Sequence, residues 1–203
     1  MKKNKISKNW INKQKRDIYV RQSKVEGYRS RAVYKLQEIN NKFKILKNGL
    51  NVLDLGAAPG SWSQFVSRNF NNSKIVSIDL KEMDKIEKTH QIKGDFTDNF
   101  QQKKILNYFN NKIDLVISDM AVNTTGNKNL DSIVTGDLSI EALNFASNTL
   151  KKNGCFVSKI FMGSSFNEIV EIAKKKFKSV NVFKPPASRK ESKESFIICK
   201  NLR

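Results

Sequence analysis

The sequence predicts an α/β protein built on a mainly parallel sheet. Two observations lead there. Short apolar runs alternate with stretches of helical periodicity from residue 30 onward. The first of these runs, Val52-Leu-Asp-Leu, opens into a small-residue turn, Gly56-Ala-Ala-Pro-Gly60, and then into a helix, the arrangement that places a ligand at the carboxyl end of a strand. A length of 203 residues suits one domain, and a 38% hydrophobic fraction with 13 Phe is enough for a sizeable core.

In chain order, residues 1–27 are polar and basic, with Trp10, Ile18, Tyr19 and Val20 as their apolar anchors. They read as a basic N-terminal arm, partly helical and mobile until it meets a partner; residues 28–203 read as the folded domain. From Ser30 the pattern turns helical, with Val33, Leu36, Ile39 and Phe43 near one face and Lys35 at the flank of that stripe. Strands are expected at Asn51–Leu55, Ile75–Leu80, Asp114–Ser118, Cys155–Phe161, Ser179–Phe183 and Phe196–Cys199, with a further short one before Gly94. Helices are expected at Ser61–Asn69, Leu138–Lys151 and Phe166–Phe177.

Charge is distributed unevenly. Lys and Arg number 38 against 19 Asp and Glu, a formal net charge of +19. Residues 1–47 carry +12 and residues 174–203 carry +8, leaving a middle of −1. Two basic ends on a near-neutral body point to one face that binds a polyanion, solvated surface being the plainer alternative. Two cysteines, Cys155 and Cys199, exclude a disulfide framework and are expected as free thiols; with the single His90 they give no zinc pattern. No apolar run is long enough to span a bilayer, and the lysine-rich start lacks the apolar core of a signal peptide, so a soluble cytoplasmic protein is expected.

Five features draw attention on chemical grounds. The glycines of the first turn stand as G-x-x-x-G rather than the G-x-G-x-x-G that cradles a pyrophosphate, which disfavours a nicotinamide cofactor and an oxidoreductase. Asp79 ends the second strand about 20 residues downstream, where a carboxylate can accept hydrogen bonds from the ribose of an adenosine-bearing cofactor. Asp95, after the third strand, is placed for an adenine amino group, with a turn or helix cap as its alternative. Asp119, at the end of the fourth strand, is expected to project into the same crevice as Gly60 and Asp79. Lys159 stands in the middle of an otherwise buried strand, on the side of Val157 and Phe161; burying an ammonium group is costly unless it is paired or neutral, so Lys159 is a functional candidate, and a lysine snorkelling to water is the alternative.

These residues fall in strings that resemble a known family. Tyr28-Arg-Ser-Arg-Ala-Val-Tyr-Lys35-Leu, Asp54-Leu-Gly-Ala-Ala-Pro-Gly60-Ser-Trp62, Ser118-Asp119-Met-Ala, Lys159-Ile-Phe and Ser188-Arg-Lys-Glu-Ser-Lys-Glu194 are similar, in order and spacing, to those of the FtsJ/RrmJ (RlmE-type) ribosomal RNA ribose 2′-O-methyltransferases. The resemblance covers residue 22 to the last residue of the sequence. It implies a Rossmann-like fold with a mostly parallel seven-stranded sheet flanked by helices, one antiparallel strand near the sheet edge, and a methyltransferase domain over 28–203. It implies S-adenosyl-L-methionine as cofactor, with contacts at Gly60, Trp62, Asp79, Asp95 and Asp119, and a catalytic tetrad of Lys35, Asp119, Lys159 and Glu194, Lys159 being the proton acceptor. Glu194 comes from the resemblance alone; it is expected in a charged loop before the last strand, with Glu191 as its local rival. Val122 and Ser61 depart from the family's usual proline and glycine and bear on loop shape.

The resemblance further implies methylation of a ribose 2′-hydroxyl, at a uridine of large-subunit (23S) ribosomal RNA, with the 50S subunit as partner, a monomeric enzyme, and neither DNA, membrane nor metal involved. A tRNA ribose 2′-O-methyltransferase is the alternative within the same chemistry. A non-catalytic RNA-binding ribosome-assembly factor is the alternative outside it, opposed by the filled tetrad positions.

Overall fold

A computed structural model of the chain describes residues 17–110, 112–120 and 128–203, with the side chains of 128–132 outside the description. The N-terminal sixteen residues, with Trp10, and the Val122 position therefore lie outside the described residues.

Seven strands make one sheet: β1 (Asn51–Leu55), β2 (Lys74–Asp79), β3 (Thr89–Lys93), β4 (Ile113–Ser118), β5 (Leu150–Phe161), β6 (Phe177–Phe183) and β7 (Glu194–Leu202). Their order is β3-β2-β1-β4-β5-β7-β6. The first five run parallel, and β7 runs against both β5 and β6. This is the mostly parallel, seven-stranded sheet that the family resemblance implies. Between the strands lie α1 (Ile18–Val25), α2 (Val33–Phe43), α3 (Ser61–Asn69), α4 (Asn99–Tyr108), α5 (Lys128–Thr149) and α6 (Phe166–Lys176).

Apolar alternation divides the core between the two sheet faces. On one side Leu53, Val76, Val116, Phe156 and Ile197 meet residues of α5 and α6. On the other, Val52, Ile117, Val157, Phe196 and Ile198 meet Leu36 and Ile39 of α2 and Trp62 of α3. A strand buried on both faces needs helices on both, which explains why β1 and β4 read as continuous apolar runs. The second layer carries Lys35, so α2 is the element whose packing sets the site. Its buried residues are Val33, Tyr34, Leu36 and Ile39, and it ends at Lys44 in the left-handed region, whose N–H bonds Asn40 O at 2.8 Å.

Several boundaries differ from those expected. Helix α4 was not anticipated, because its only buried residue is Ile105 and a single apolar position gives no period. Helix α5 ends at Thr149 rather than continuing to Lys151; β5 begins at Leu150, its polar first residues exposed. Glu194 lies not in a loop but at the first position of β7, opposite Phe161 of β5. Of the expected mobile arm, residues 17–27 pack against α2: Asp17 caps α1 by accepting from Tyr19 N at 3.1 Å and Val20 N at 3.4 Å, and the Tyr19 ring lies 5.3 Å from Tyr34. Among the described residues, no helix is long and apolar enough to cross a membrane.

Candidate active site

The site is assembled where the parallel strands end. β1 finishes at Leu55 and the chain turns through Gly56, φ 67°, and Gly60, φ 101°, both in the left-handed region that favours glycine. The N–H groups of Gly56 and Ala57 donate to Ile78 O at 2.9 and 3.2 Å, fixing the turn against the end of β2. A Cβ on Gly56 would stand 2.1 Å from Met120 Cγ, so the turn and the segment after β4 meet with no room for a side chain. Beside this turn opens a cavity of about 480 Å³, whose lining includes Gly56, Ala58, Asp79, Asp95, Asp119 and Met120.

Three sequence-predicted residues thus share one cavity. Asp79 accepts from Ala58 N at 2.9 Å and Lys81 N at 2.8 Å, which fixes its carboxylate while leaving lone pairs for a ligand. Asp95 is exposed, and its Oδ1 accepts from the backbone and hydroxyl of Thr97. Gly60 and Trp62 are placed elsewhere. Gly60 begins α3 beneath Ile86 and Arg29; a Cβ there would lie 2.6 Å from Ile86 Cδ1. Trp62 is 2% exposed, donates its indole N–H to Ala32 O at 2.8 Å and packs on Phe196. Neither lines the cavity. Trp62 instead ties α3 to the residue before α2, a packing role that the motif alone does not distinguish from a ligand contact.

Four chain-distant charges converge at the edge of the cavity. Asp119 presents Oδ1 to Lys159 Nζ at 3.1 Å and Oδ2 to Lys35 Nζ at 3.5 Å. Lys159 also donates to Asp119 main-chain O at 2.7 Å. Lys35 lies 3.1 Å from Glu194. The supports are the first turn of α2, the residue after β4, the carboxyl end of β5 and the start of β7. Burial alone would lower the Lys35 pKa; Asp119 and Glu194 outweigh it and raise it above the ordinary lysine value. Burial would raise Asp119, and Lys159 and Lys35 outweigh it and hold its carboxyl below the usual range.

A second cavity, of about 450 Å³, is lined by Ser30, Arg31, Lys35, Arg189, Ser192 and Glu194 together with Ala32 and Glu191. Lys35 and Glu194 stand in its wall and Asp119 in the wall of the first, so the charged cluster lies between two cavities.

Comparison with known proteins fixes the family. The model of the FtsJ-like methyltransferase family matches residues 28–202. The chain belongs to the FtsJ-like methyltransferases. It is 68% identical over 203 residues to the ribosomal RNA large subunit methyltransferase E of Pelagibacter ubique (strain HTCC1062), covering 100% of both chains. To the protein of the same name from Hahella chejuensis (strain KCTC 2396) it is 44% identical, again covering 100% of each. Among solved structures, a Plasmodium falciparum chain described as a ribosomal RNA methyltransferase superposes with a TM-score of 0.75 at 34% identity, over 86% of this chain and 98% of that one.

Family and fold together imply S-adenosylmethionine as the cofactor. The first cavity fits it: a turn of small residues, carboxylates at the end of β2 and just after β3, and apolar walls at Ile78, Phe96, Met120 and Leu138. Met120 and Leu138 were not singled out from sequence, because an isolated apolar residue carries no chemical signature. Two further residues went unnoticed. Arg29 donates to Pro59 O, Asp84 O and Lys85 O at 3.0, 2.8 and 2.8 Å, fastening residues 84–85 over the glycine turn. Asp54, 1% exposed, accepts from Ser63 N at 3.1 Å and Ser63 Oγ at 2.6 Å. Burial pushes its carboxyl up to about 7, against the lowering effect of Ser63.

Proposed function

We propose that this methyltransferase transfers a methyl group to a ribose 2′-hydroxyl, at a uridine of large-subunit (23S) ribosomal RNA, with Lys35, Asp119, Lys159 and Glu194 as its catalytic group. The observation that carries the proposal is the position of these four charges between the two cavities: one fits the cofactor, and the other, lined by Arg31, Lys35 and Arg189, suits a phosphate-bearing acceptor. The names borne by the curated relatives support the choice of RNA.

A neutral hydroxyl is a weak nucleophile, so the reaction needs alignment and a base. Bound in the first cavity, S-adenosylmethionine supplies an electrophilic methyl group. Of the two lysines, among the described residues, Lys35 has two carboxylates, whereas Lys159 has only Asp119, which it shares. Lys35 is therefore the permanent cation, placed to hold the hydroxyl oxygen or an adjacent phosphate. Lys159, in its neutral form, takes the hydroxyl proton onto Nζ as the oxygen gains its new bond to carbon. Asp119 aims Lys159, and Glu194 aims Lys35. DNA lacks the hydroxyl and cannot serve as acceptor. The basic ends, including the arm over 1–27, add salt-dependent affinity to the domain over 28–203. We place the enzyme in the cytoplasm as a monomer acting within the 50S subunit.

The test is transfer of label from radioactive S-adenosylmethionine to naked ribosomal RNA, to large subunits lacking the modification, and to bulk tRNA, with Lys159→Ala beside the unaltered enzyme. Label in large-subunit RNA that resists alkaline cleavage at one uridine, and that falls by about 10²–10⁴-fold in the variant, is expected. Label confined to tRNA would overturn the substrate, and an undiminished Lys159→Ala rate would overturn the base.

A further inference from the structure

The sheet register links the reaction site to a basic, aromatic surface at its margin. Lys159 on β5 is paired with Phe196 on β7, and Phe196 with Phe183 on β6. The three side chains therefore share one row on the face covered by α2. Neighbouring strands lie about 4.8 Å apart, which places Phe183 about 10 Å from Lys159. Phe196, at 0% exposure, lies beneath Lys35, whose ammonium is 5.6 Å from its ring centre. Phe183 is only partly buried and meets the Phe43 ring, at the end of α2, edge to face at 5.6 Å. The ammonium of Lys42, itself exposed, stands 4.3 Å over the Phe183 ring.

The two segments that meet here are free of carboxylates. Residues 39–53 hold three lysines and no acid; residues 172–190 hold seven cations and no acid. Lys200 of β7 donates to Phe43 O at 2.5 Å and fixes the aromatic pair to the sheet. Such a surface attracts a polyanion, and its rings offer flat apolar area that a base can cover.

We propose that Phe43, Phe183 and Lys42 form a docking subsite for unpaired RNA flanking the acceptor nucleotide, a base lying against the Phe183–Phe43 pair and its phosphate on Lys42 and the neighbouring Lys44. The proposal rests on the reading of this enzyme as one that acts on RNA. The row from Lys159 through Phe196 to Phe183 lies beneath α2 and sets the distance to be spanned, about 10 Å, which a short stretch of extended chain covers. Contacts of this kind are tolerant of sequence, so the subsite contributes affinity and alignment rather than choice of base.

The test uses the full chain and the variants Lys42→Gln and Phe183→Leu, the second keeping apolar volume while removing the flat ring. Affinity for a fluorescein-labelled oligouridylate and for an unmodified large-subunit RNA fragment is read by anisotropy over a range of salt. Affinity for S-adenosylhomocysteine and the melting temperature are read alongside. Each variant should raise the RNA Kd about fivefold, and Lys42→Gln should lower the salt slope by about 0.7 on the single strand, with cofactor affinity unchanged. RNA affinity equal to that of the unaltered chain in both variants would overturn the subsite while leaving the enzyme's substrate intact. Failure of the unaltered chain to bind any RNA would overturn the substrate and the subsite together. Concentration-dependent self-association that the variants abolish, with RNA affinity untouched, would assign the surface to a second copy of the chain instead.

Discussion

Lys35 and Lys159 are held by opposite oxygens of a single carboxylate, Asp119, at 3.5 and 3.1 Å, although the two lysines stand more than a hundred residues apart in the chain. One anion between two ammonium groups leaves a local excess of positive charge, and Glu194, 3.1 Å from Lys35, offsets it. Two basic and two acidic side chains thus balance in formal charge. This charge arithmetic also makes each member costly to lose.

The first prediction follows from that balance. Lys35→Met strands Glu194, whose side chain is 13% exposed, without its ammonium partner. Breaking a largely buried pair from one side costs about 3 kcal/mol, while removing both partners costs less. Denaturant unfolding should therefore show Lys35→Met to be less stable than the double variant Lys35→Met/Glu194→Gln, with methyl transfer lost in both. Equal stabilities would mean that water, rather than Lys35, satisfies Glu194.

Asp54 supplies a prediction about pH. Its carboxyl is pushed up to about 7 from an ordinary value of 3.8. The folded state then binds a proton more tightly than the unfolded state, so the contribution of Asp54 is fully present below about pH 4 and is lost as pH rises towards 7. Asp54→Asn mimics the protonated form. It should match the unaltered enzyme in stability near pH 4 and exceed it at pH 8, as read by chemical denaturation at each pH. A parallel pair of curves would show that Asp54 does not titrate in this range.

Trp62 separates a packing role from a cofactor contact. Its indole N–H bonds Ala32 O at 2.8 Å, and its ring lies outside the lining of the first cavity. Trp62→Phe should cost about 1 kcal/mol in stability through the lost hydrogen bond and leave S-adenosylhomocysteine affinity within twofold. A loss of affinity without a loss of stability would return Trp62 to the cofactor site.

Much of the fold was legible because buried strands and their flanking turns are local signals. Asp54-Leu-Gly at the end of β1 and Ser118-Asp119 at the end of β4 place the cavity from short strings alone. Lys159 was legible for a physical reason, an ammonium in a strand that is otherwise buried; the structure leaves it 7% exposed beside Asp119. Glu194 had no such signal. Its meaning comes from the pairing of β7 with β5, and no window of sequence around it contains that pairing. Trp62 shows the opposite difficulty: a residue inside a ligand-binding string can also serve the scaffold, and its bond to Ala32, thirty residues earlier, is visible only in the fold. Helix α4 was missed because one buried residue in ten leaves no amphipathic trace.

The sheet order has a consequence for how the enzyme comes into being. The strand synthesised last among the seven, β7, is inserted between β5 and β6, which are made before it. A nascent chain can assemble the cofactor half of the sheet, β1 to β4, while β5 and β6 still have an open seam between them. Closing that seam delivers Glu194 to Lys35 and buries Phe196 in the same event. On the proposed mechanism, then, the four-charge group is complete only once β7, the last strand made, has paired with β5.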